Sequence, residues 1–216
     1  MKVLVACEES QTVCKAFRNK GHEAYSCDIQ EPSGGCPQWH ILGDCLKVLE
    51  GGTFTTMDGV THTVDNWDLV IAHPPCTYLT VAGAANIPKD PSRIDKGWEA
   101  REFFMKFYNC SCPRVAIENP VPMSRFNLPP YTQIVYPYMF GEPFKKKLVL
   151  WLKGLPKLVA TNLIDKELTP MYERIYKGKR RTLSKWYNGS RSKARSKTFK
   201  GFAEAMAEQW NNLEGE

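Results

Sequence analysis

The chain has 216 residues, 43% of them hydrophobic and 12% aromatic, with a formal net charge of +6. That length supports one well-cored domain and is too short for two of ordinary size, while the apolar content excludes general disorder. No apolar run approaches the roughly 20 residues needed to cross a bilayer, so the expectation is a soluble protein with a single domain over 1–216.

Taken in order, KVLVAC (Lys2–Cys7) reads as a first buried parallel strand, because it is apolar and β-branched without alternation. The following EESQTVCKAFRNKG puts Val13, Ala16 and Phe17 on one helical face, with Ser10 placed to cap the helix and Gly21 to end it. HEAYSCDI is a second strand carrying Asp28, which completes a βαβ unit with an acid where many such folds hold a ribose hydroxyl. Its first turn, Glu8-Glu9-Ser10-Gln11, is not glycine-rich. WHILGDCLKVL then gives a brief strand, Asp44 and a helical turn, and the Thr/Val-rich arms around Asp58-Gly59 predict a β-hairpin insertion. WDLVIAHPPC returns to a buried strand that delivers Pro74, Pro75 and Cys76. The polar stretch from Thr80 to Lys96, with Gly83, Pro88 and Pro91, reads as a mobile loop. WEAREFFMKFYNC has helical periodicity, RVAIENP is a strand ending in Glu118-Asn119-Pro120, KKLVLWLKGLP is a further strand, and GFAEAMAEQWNNL is a terminal helix. This alternation predicts a doubly wound, mostly parallel α/β sheet. Its ligands should bind beyond the carboxyl ends of the strands, the edge that carries Asp28, Asp44, Cys76 and Glu118.

The eight cysteines do not read as a disulfide framework: no leader precedes them, and Cys7, Cys27 and Cys76 lie in or beside strands. The expected setting is a reducing cytoplasm. Cys110-Ser-Cys112 lacks a second pair at zinc-finger spacing, and His22, His40 and His62 show no metal spacing. From Tyr172 to Lys200, eleven Lys or Arg oppose one acid, Glu173. A solvated basic tail is one reading of such a run. Contact with nucleic acid is the other, with Arg180, Arg181, Arg191 and Arg195 on phosphates and Tyr176, Trp186 and Tyr187 to stack on bases. Trp151 and Trp210 read as core.

A thiol fixed by two prolines beside a strand-end carboxylate is a nucleophile and acid pair. His73 precedes the two prolines, as a tuner of the thiol or a structural histidine. Pro74-Pro75-Cys76 and Glu118-Asn119-Pro120 resemble, in the same order, the Pro-Pro-Cys loop and Glu-Asn-Val strand end of the DNA cytosine-C5 methyltransferases. The first βαβ unit, with Asp28 and Gly43-Asp44, resembles their S-adenosylmethionine half. FGEPFKKKLVLWLKGLP and RSKARSKTFKGFAEAMAEQW are similar to the short cytosine-methyltransferase-like proteins of phages and prophages, a likeness that covers nearly the whole chain.

That resemblance implies a Rossmann-like methyltransferase fold in a bacterial host cytoplasm. It implies S-adenosyl-L-methionine as cofactor, held by Glu8, Ser10, Gln11, Asp28, Ile29, Asp44 and Pro74. Cys76 is then the nucleophile on cytosine C6 and Glu118 the acid at N3. Pro75, Thr77, Asn119, Lys145 and Lys147 would meet the substrate, DNA or RNA, together with the basic segment 172–200. The chain departs from the family pattern in four places. The glycine-rich first motif is absent, Thr77 stands for Gln, Pro120 stands for Val, and EPFKKK replaces an arginine-bearing strand, leaving Lys145, Lys146 or Lys147 as the substitute cation. There is no room for a separate target-recognition domain, so selectivity is low or supplied by a protein partner. The alternatives are an exocyclic-amino methyltransferase, transfer of a group other than a plain methyl, and a non-catalytic nucleic-acid-binding protein on a degenerate methyltransferase fold.

Overall fold

The computed structural model describes residues 1–164 and 198–212, together with the backbone pairing of 171–176 and 179–184. Along the chain run β1 (Lys2–Ala6), α1 (Thr12–Asn19), β2 (Glu23–Asp28), β3 (His40–Leu42), β4 (Gly52–Thr55), β5 (Thr61–Val64) and β6 (Leu69–Ala72). They are followed by α2 (Arg93–Tyr108), β7 (Val115–Asn119), β8 (Gln133–Val135), β9 (Leu148–Lys153), β10 (Met171–Tyr176), β11 (Lys179–Ser184) and α3 (Lys200–Gln209). Seven strands form one sheet in the order β3-β2-β1-β6-β7-β9-β8. The five from β3 to β7 are parallel, and β9 runs antiparallel between β7 and β8. The order reverses between β1 and β6, which makes the carboxyl ends of these two strands the topological switch point of the sheet.

β1 is buried on both sides because its apolar run has no polar alternation. Leu4 and Ala6 enter one core, with Phe104 and Phe107 of α2 and Phe54, Val64 and Trp67 around the hairpin. Val3 and Val5 enter the other, with Val13 and Phe17 of α1 and Phe202, Met206 and Trp210 of α3. Helices therefore cover both faces. Each fully buried Phe or Leu contributes about 1.5–3 kcal/mol of apolar burial, so the rigidity of the switch point comes from the two layers above and below it. Trp151 and Trp210 are both in these cores, and their indole N–H groups donate to the carbonyls of Pro129 and Pro156 at 2.7 and 3.1 Å.

The hairpin forms as its turn chemistry dictates, with Gly59 at φ 85° and Thr53 and Thr55 paired across the strands with Thr63 and Thr61. Two expectations are corrected. Ser10 is not the residue directly before α1, which is Gln11 in a left-handed conformation, and among backbone donors its hydroxyl accepts only from the Thr12 N–H, at 3.4 Å. The Glu8 carboxylate caps instead, accepting from the Val13 and Cys14 backbone N–H groups at 2.6 and 3.1 Å. The stretch from Thr80 to Lys96 is not an open loop but 3₁₀ turns over Val81–Lys89 followed by the start of α2. Its hydrophobic residues hold it down: Leu79 is buried, and Ala84 and Ile87 pack on the core. α2 begins at Arg93, five residues before Trp98, and Gly97 lets it lie against Phe126; a Cβ there would sit 2.1 Å from the Phe126 ring. β8 was not legible as a strand, being three residues long between prolines.

Candidate active site

The parallel register of β6 and β7 pairs Ala72 with Ile117. One step further along each strand, His73 and Glu118 meet: Nδ1 lies 3.1 Å from Oε2, with side chains only 9% and 12% exposed. A carboxylate oxygen only accepts, so Nδ1 carries the proton. The His73 backbone N–H donates to the Ala6 carbonyl at 3.0 Å, which ties this residue to β1 as well. Beside it, the Asn119 amide donates to the Pro74 carbonyl at 3.1 Å and fastens the Pro-Pro turn to β7. Three buried polar atoms here have no hydrogen-bond partner among the described residues: His73 Nε2, Glu118 Oε1 and Asn119 Oδ1. Such atoms cost about 1–3 kcal/mol each when unsatisfied, and the three belong to residues at the ends of two neighbouring strands.

Cys76 follows in the turn. Its carbonyl accepts from the Leu79 and Thr80 N–H groups, both at 3.2 Å, and closes the chain back after two residues that have no N–H to give. The segments leaving the two strand ends then pair with each other. Val81 N–H donates to the Val121 carbonyl at 3.1 Å and Met123 N–H to the Leu79 carbonyl at 2.8 Å, with Thr80 bridged to Pro122. The Pro-Pro-Cys and Glu-Asn-Pro turns are thus one clamped unit. Pro75 and Thr77 are exposed at its rim, and Cys76 is half-buried.

Burial pushes the Glu118 carboxyl up, but the His73 hydrogen bond and the charges of Lys146 and His73 outweigh it and leave the group below its ordinary value. Lys146 is therefore the lysine of EPFKKK whose charge reaches the carboxylate, while Lys145 and Lys147 are exposed. Glu8 behaves in the opposite way: burial raises its carboxyl despite His73, the two helix N–H groups and Ser10. His73 thus lies within electrostatic reach of two buried acids.

The first turn is engaged with its own protein. Glu8 plugs the N-terminus of α1, and Gln11 donates to Ser26 Oγ and the Cys36 carbonyl at 3.2 and 2.8 Å while accepting from Cys36 N–H at 3.0 Å. The Ser10 hydroxyl lies 3.4 Å from Glu8 and 3.0 Å from Thr12. Cys7 and Gln11 take φ of 58° and 57°, a left-handed backbone that costs a non-glycine residue roughly 1–2 kcal/mol. These two positions supply with ordinary side chains the bends that glycines would make easily. Further out, Asp28 is buried to 8% exposure and accepts from Gln30 N–H at 2.9 Å. Burial raises its carboxyl. Next to it, Ile29 is 79% and Leu42 is 47% exposed, an unusual apolar lip at a strand-end edge. Asp44 is exposed and caps the following turn through Leu46 N–H. Behind it the Cys45 thiol donates to the Cys27 carbonyl at 3.1 Å and accepts from the Cys7 N–H at 3.2 Å.

One cluster escaped the sequence. Arg93 stacks over the Tyr78 ring at 4.7 Å and donates to the Thr77 carbonyl at 3.0 Å, and Lys96 lies 5.7 Å from the same ring. Two cations therefore stand just beyond Cys76. Of the basic segment, Arg180 and Arg181 fall on β11, whose backbone pairs with β10; Arg191 and Arg195 lie outside the described residues. No group of three His, Cys, Asp or Glu among the described residues could hold a metal ion, and no described helix is long and apolar enough to cross a membrane. Comparison of the chain with protein-family models and with curated proteins gives no match.

Proposed function

We propose that this protein transfers a methyl group to C5 of cytosine in DNA, through a covalent adduct on Cys76, with Glu118 as the acid at N3. The observation that carries this reading is the strand-end pair itself. Glu118 is buried and held by one oxygen, its other oxygen has no partner among the described residues, and the turn that carries Cys76 is hydrogen-bonded to the turn after Glu118. A pyrimidine edge offers the complement of such a site: N3 for Oε1, and the exocyclic amino group for an acceptor such as Asn119 Oδ1.

The chemistry needs these groups. Cytosine C5 is too weak a nucleophile to take a methyl group unaided. Addition of the Cys76 thiolate to C6 turns the ring into an enamine, and the Glu118 proton delivered to N3 takes up the charge that this addition builds. Loss of the C5 proton to solvent after transfer then expels the Cys76 thiolate from C6, and N3 gives its proton back to Glu118. A cytosine within a duplex must first leave the stack. Arg93, Lys96 and the basic segment 172–200 supply positive charge for the phosphates around it.

S-adenosyl-L-methionine fits one half of the neighbouring edge well. The apolar lip of Ile29 and Leu42 suits an adenine face, and the buried Asp28 suits a ribose hydroxyl. Because Glu8 occupies the N–H groups at the start of α1, a pyrophosphate has no helix terminus to bind, which disfavours a dinucleotide and suits a cofactor whose reacting centre is a sulfonium cation. When bound, the cofactor supplies the electrophilic methyl group. A Rossmann-like methyltransferase fold is the reading we attach to the mostly parallel sheet, supported by the switch point between β1 and β6 where these groups gather. The test is mass spectrometry of nucleosides from DNA of cells expressing the protein. A rise in 5-methylcytosine supports the reading, a modified exocyclic nitrogen or a larger group moves it to a related transferase, and unmodified DNA moves it to a binding protein.

A further inference from the structure

We infer that His73 is the positioning residue of this site: its Nδ1–H holds Glu118 by Oε2 so that Oε1 is presented to the N3 edge of the base. The inference rests on the cytosine-methyltransferase reading for the identity of that base. The hold itself stands on the geometry.

His73 is fixed independently on three sides. Its backbone is bonded to Ala6 of β1, the residue after it is bonded through Pro74 to Asn119, and its imidazole meets Glu118 at 3.1 Å. Among the described residues no other hydrogen bond to the Glu118 side chain is present, since Oε1 has none. A carboxylate with one oxygen clamped can rotate only by breaking that bond, so the clamp determines that Oε1, itself buried, is the oxygen left for a ligand. A merely structural ion pair would have both oxygens satisfied within the protein. The charged groups that face this pair come from two further elements: Glu8, from the turn after β1, faces His73, and Lys146, from the segment before β9, faces Glu118. Neither replaces the clamp. Glu8 is committed to α1, and Lys146 acts on the carboxylate through its charge.

The sign of the consequence follows. In His73→Ala, the Glu118 carboxyl loses a hydrogen bond and a cation while its burial remains, so it takes up its proton at higher pH. In His73→Asn, the amide N–H can still donate to Oε2, so orientation is largely kept while the charge is lost. Because the protonated carboxyl is the form that serves N3, the alkaline fall of kcat/KM moves to higher pH in both variants. The maximal rate drops about tenfold to a hundredfold in His73→Ala and only a few-fold in His73→Asn.

The experiment has two arms on the full chain. In the first, the pH titration of the Glu118 carboxyl carbon is followed by NMR in the wild-type protein, His73→Asn and His73→Ala, with the signal assigned through Glu118→Gln. An upward shift in His73→Ala supports the clamp, and coincident titrations overturn it. In the second, methyl transfer to cytosine-containing DNA is measured against pH. Rescue by Asn relative to Ala supports positioning, whereas equal loss in two variants that both fold overturns it. No transfer by the wild-type protein overturns the underlying reading instead, and the carboxyl titration still decides whether His73 holds Glu118.

Discussion

The two turns that meet at the switch point are finished to different degrees. After β1, the polar atoms of Glu8 and Gln11 are turned inward, onto the start of α1 and onto Ser26 and Cys36. After β6 and β7, His73, Glu118 and Asn119 each keep a buried polar atom without a partner among the described residues. The first arrangement is self-sufficient and costs only local backbone strain. Chemistry is therefore expected at the second turn, with the first as its support.

Substitutions separate the two turns most sharply through activity. Cys76→Ser should lower methyl transfer by on the order of 10³-fold or more, because a hydroxyl is a far poorer nucleophile near neutral pH. Glu118→Gln should cost about 10²–10⁴-fold, the usual range for removal of a general acid. Both are read from initial rates of methyl transfer to DNA. By contrast, Glu8→Ala should lose about 0.5–2 kcal/mol of stability as a helix cap. Its activity per folded molecule should change far less than that of Glu118→Gln, and chemical denaturation alongside the rate assay checks the difference.

The same contrast has a pH signature. The folded protein holds Glu118 below its unfolded value of about 4.3. Its contribution to stability is therefore present above that value and is lost as pH falls through the folded pKa. Glu8 is raised by burial, so its contribution is fully present below the unfolded value and is lost as pH rises through the folded pKa. Thermal midpoints of Glu118→Gln and wild-type protein should thus converge on acidification. Those of Glu8→Gln should move the opposite way, with wild type gaining relative to the variant as pH falls. A smaller effect is expected at the tether: Asn119→Ala should cost about 1–2 kcal/mol for the lost Pro74 bond, measured by urea denaturation.

Much of the sheet was legible because its strands are short apolar runs with polar residues at their ends, and each of β1, β2, β6, β7 and β9 falls within the run that predicts it. Cys76 and Glu118 were legible as candidates for the same reason. The partner of Glu118 was not. His73 adjoins the thiol in sequence, yet the β6–β7 register turns it onto the carboxylate 45 residues away. The capping role of Glu8 was not legible either: its carboxylate reaches the Val13 and Cys14 N–H groups only because Gln11 turns the chain in a left-handed conformation before α1. The stretch after Cys76 looked open because Gly and Pro are frequent in it. The anchors Leu79, Ala84 and Ile87 are too widely spaced to show a helical or strand period, although they suffice to hold 3₁₀ turns on the core.

The most direct measurement supplies the protein and cofactor with a DNA strand containing 5-fluorocytosine. The fluorine cannot leave as a proton, so the C6–S bond cannot break once the methyl group has been transferred. The prediction is a protein–DNA adduct stable to denaturation and mapped by mass spectrometry to Cys76, absent in Cys76→Ser. Cytosine methylation of ordinary DNA by Cys76→Ser at the wild-type rate, or methylation by wild-type protein with no trapped adduct, would contradict it.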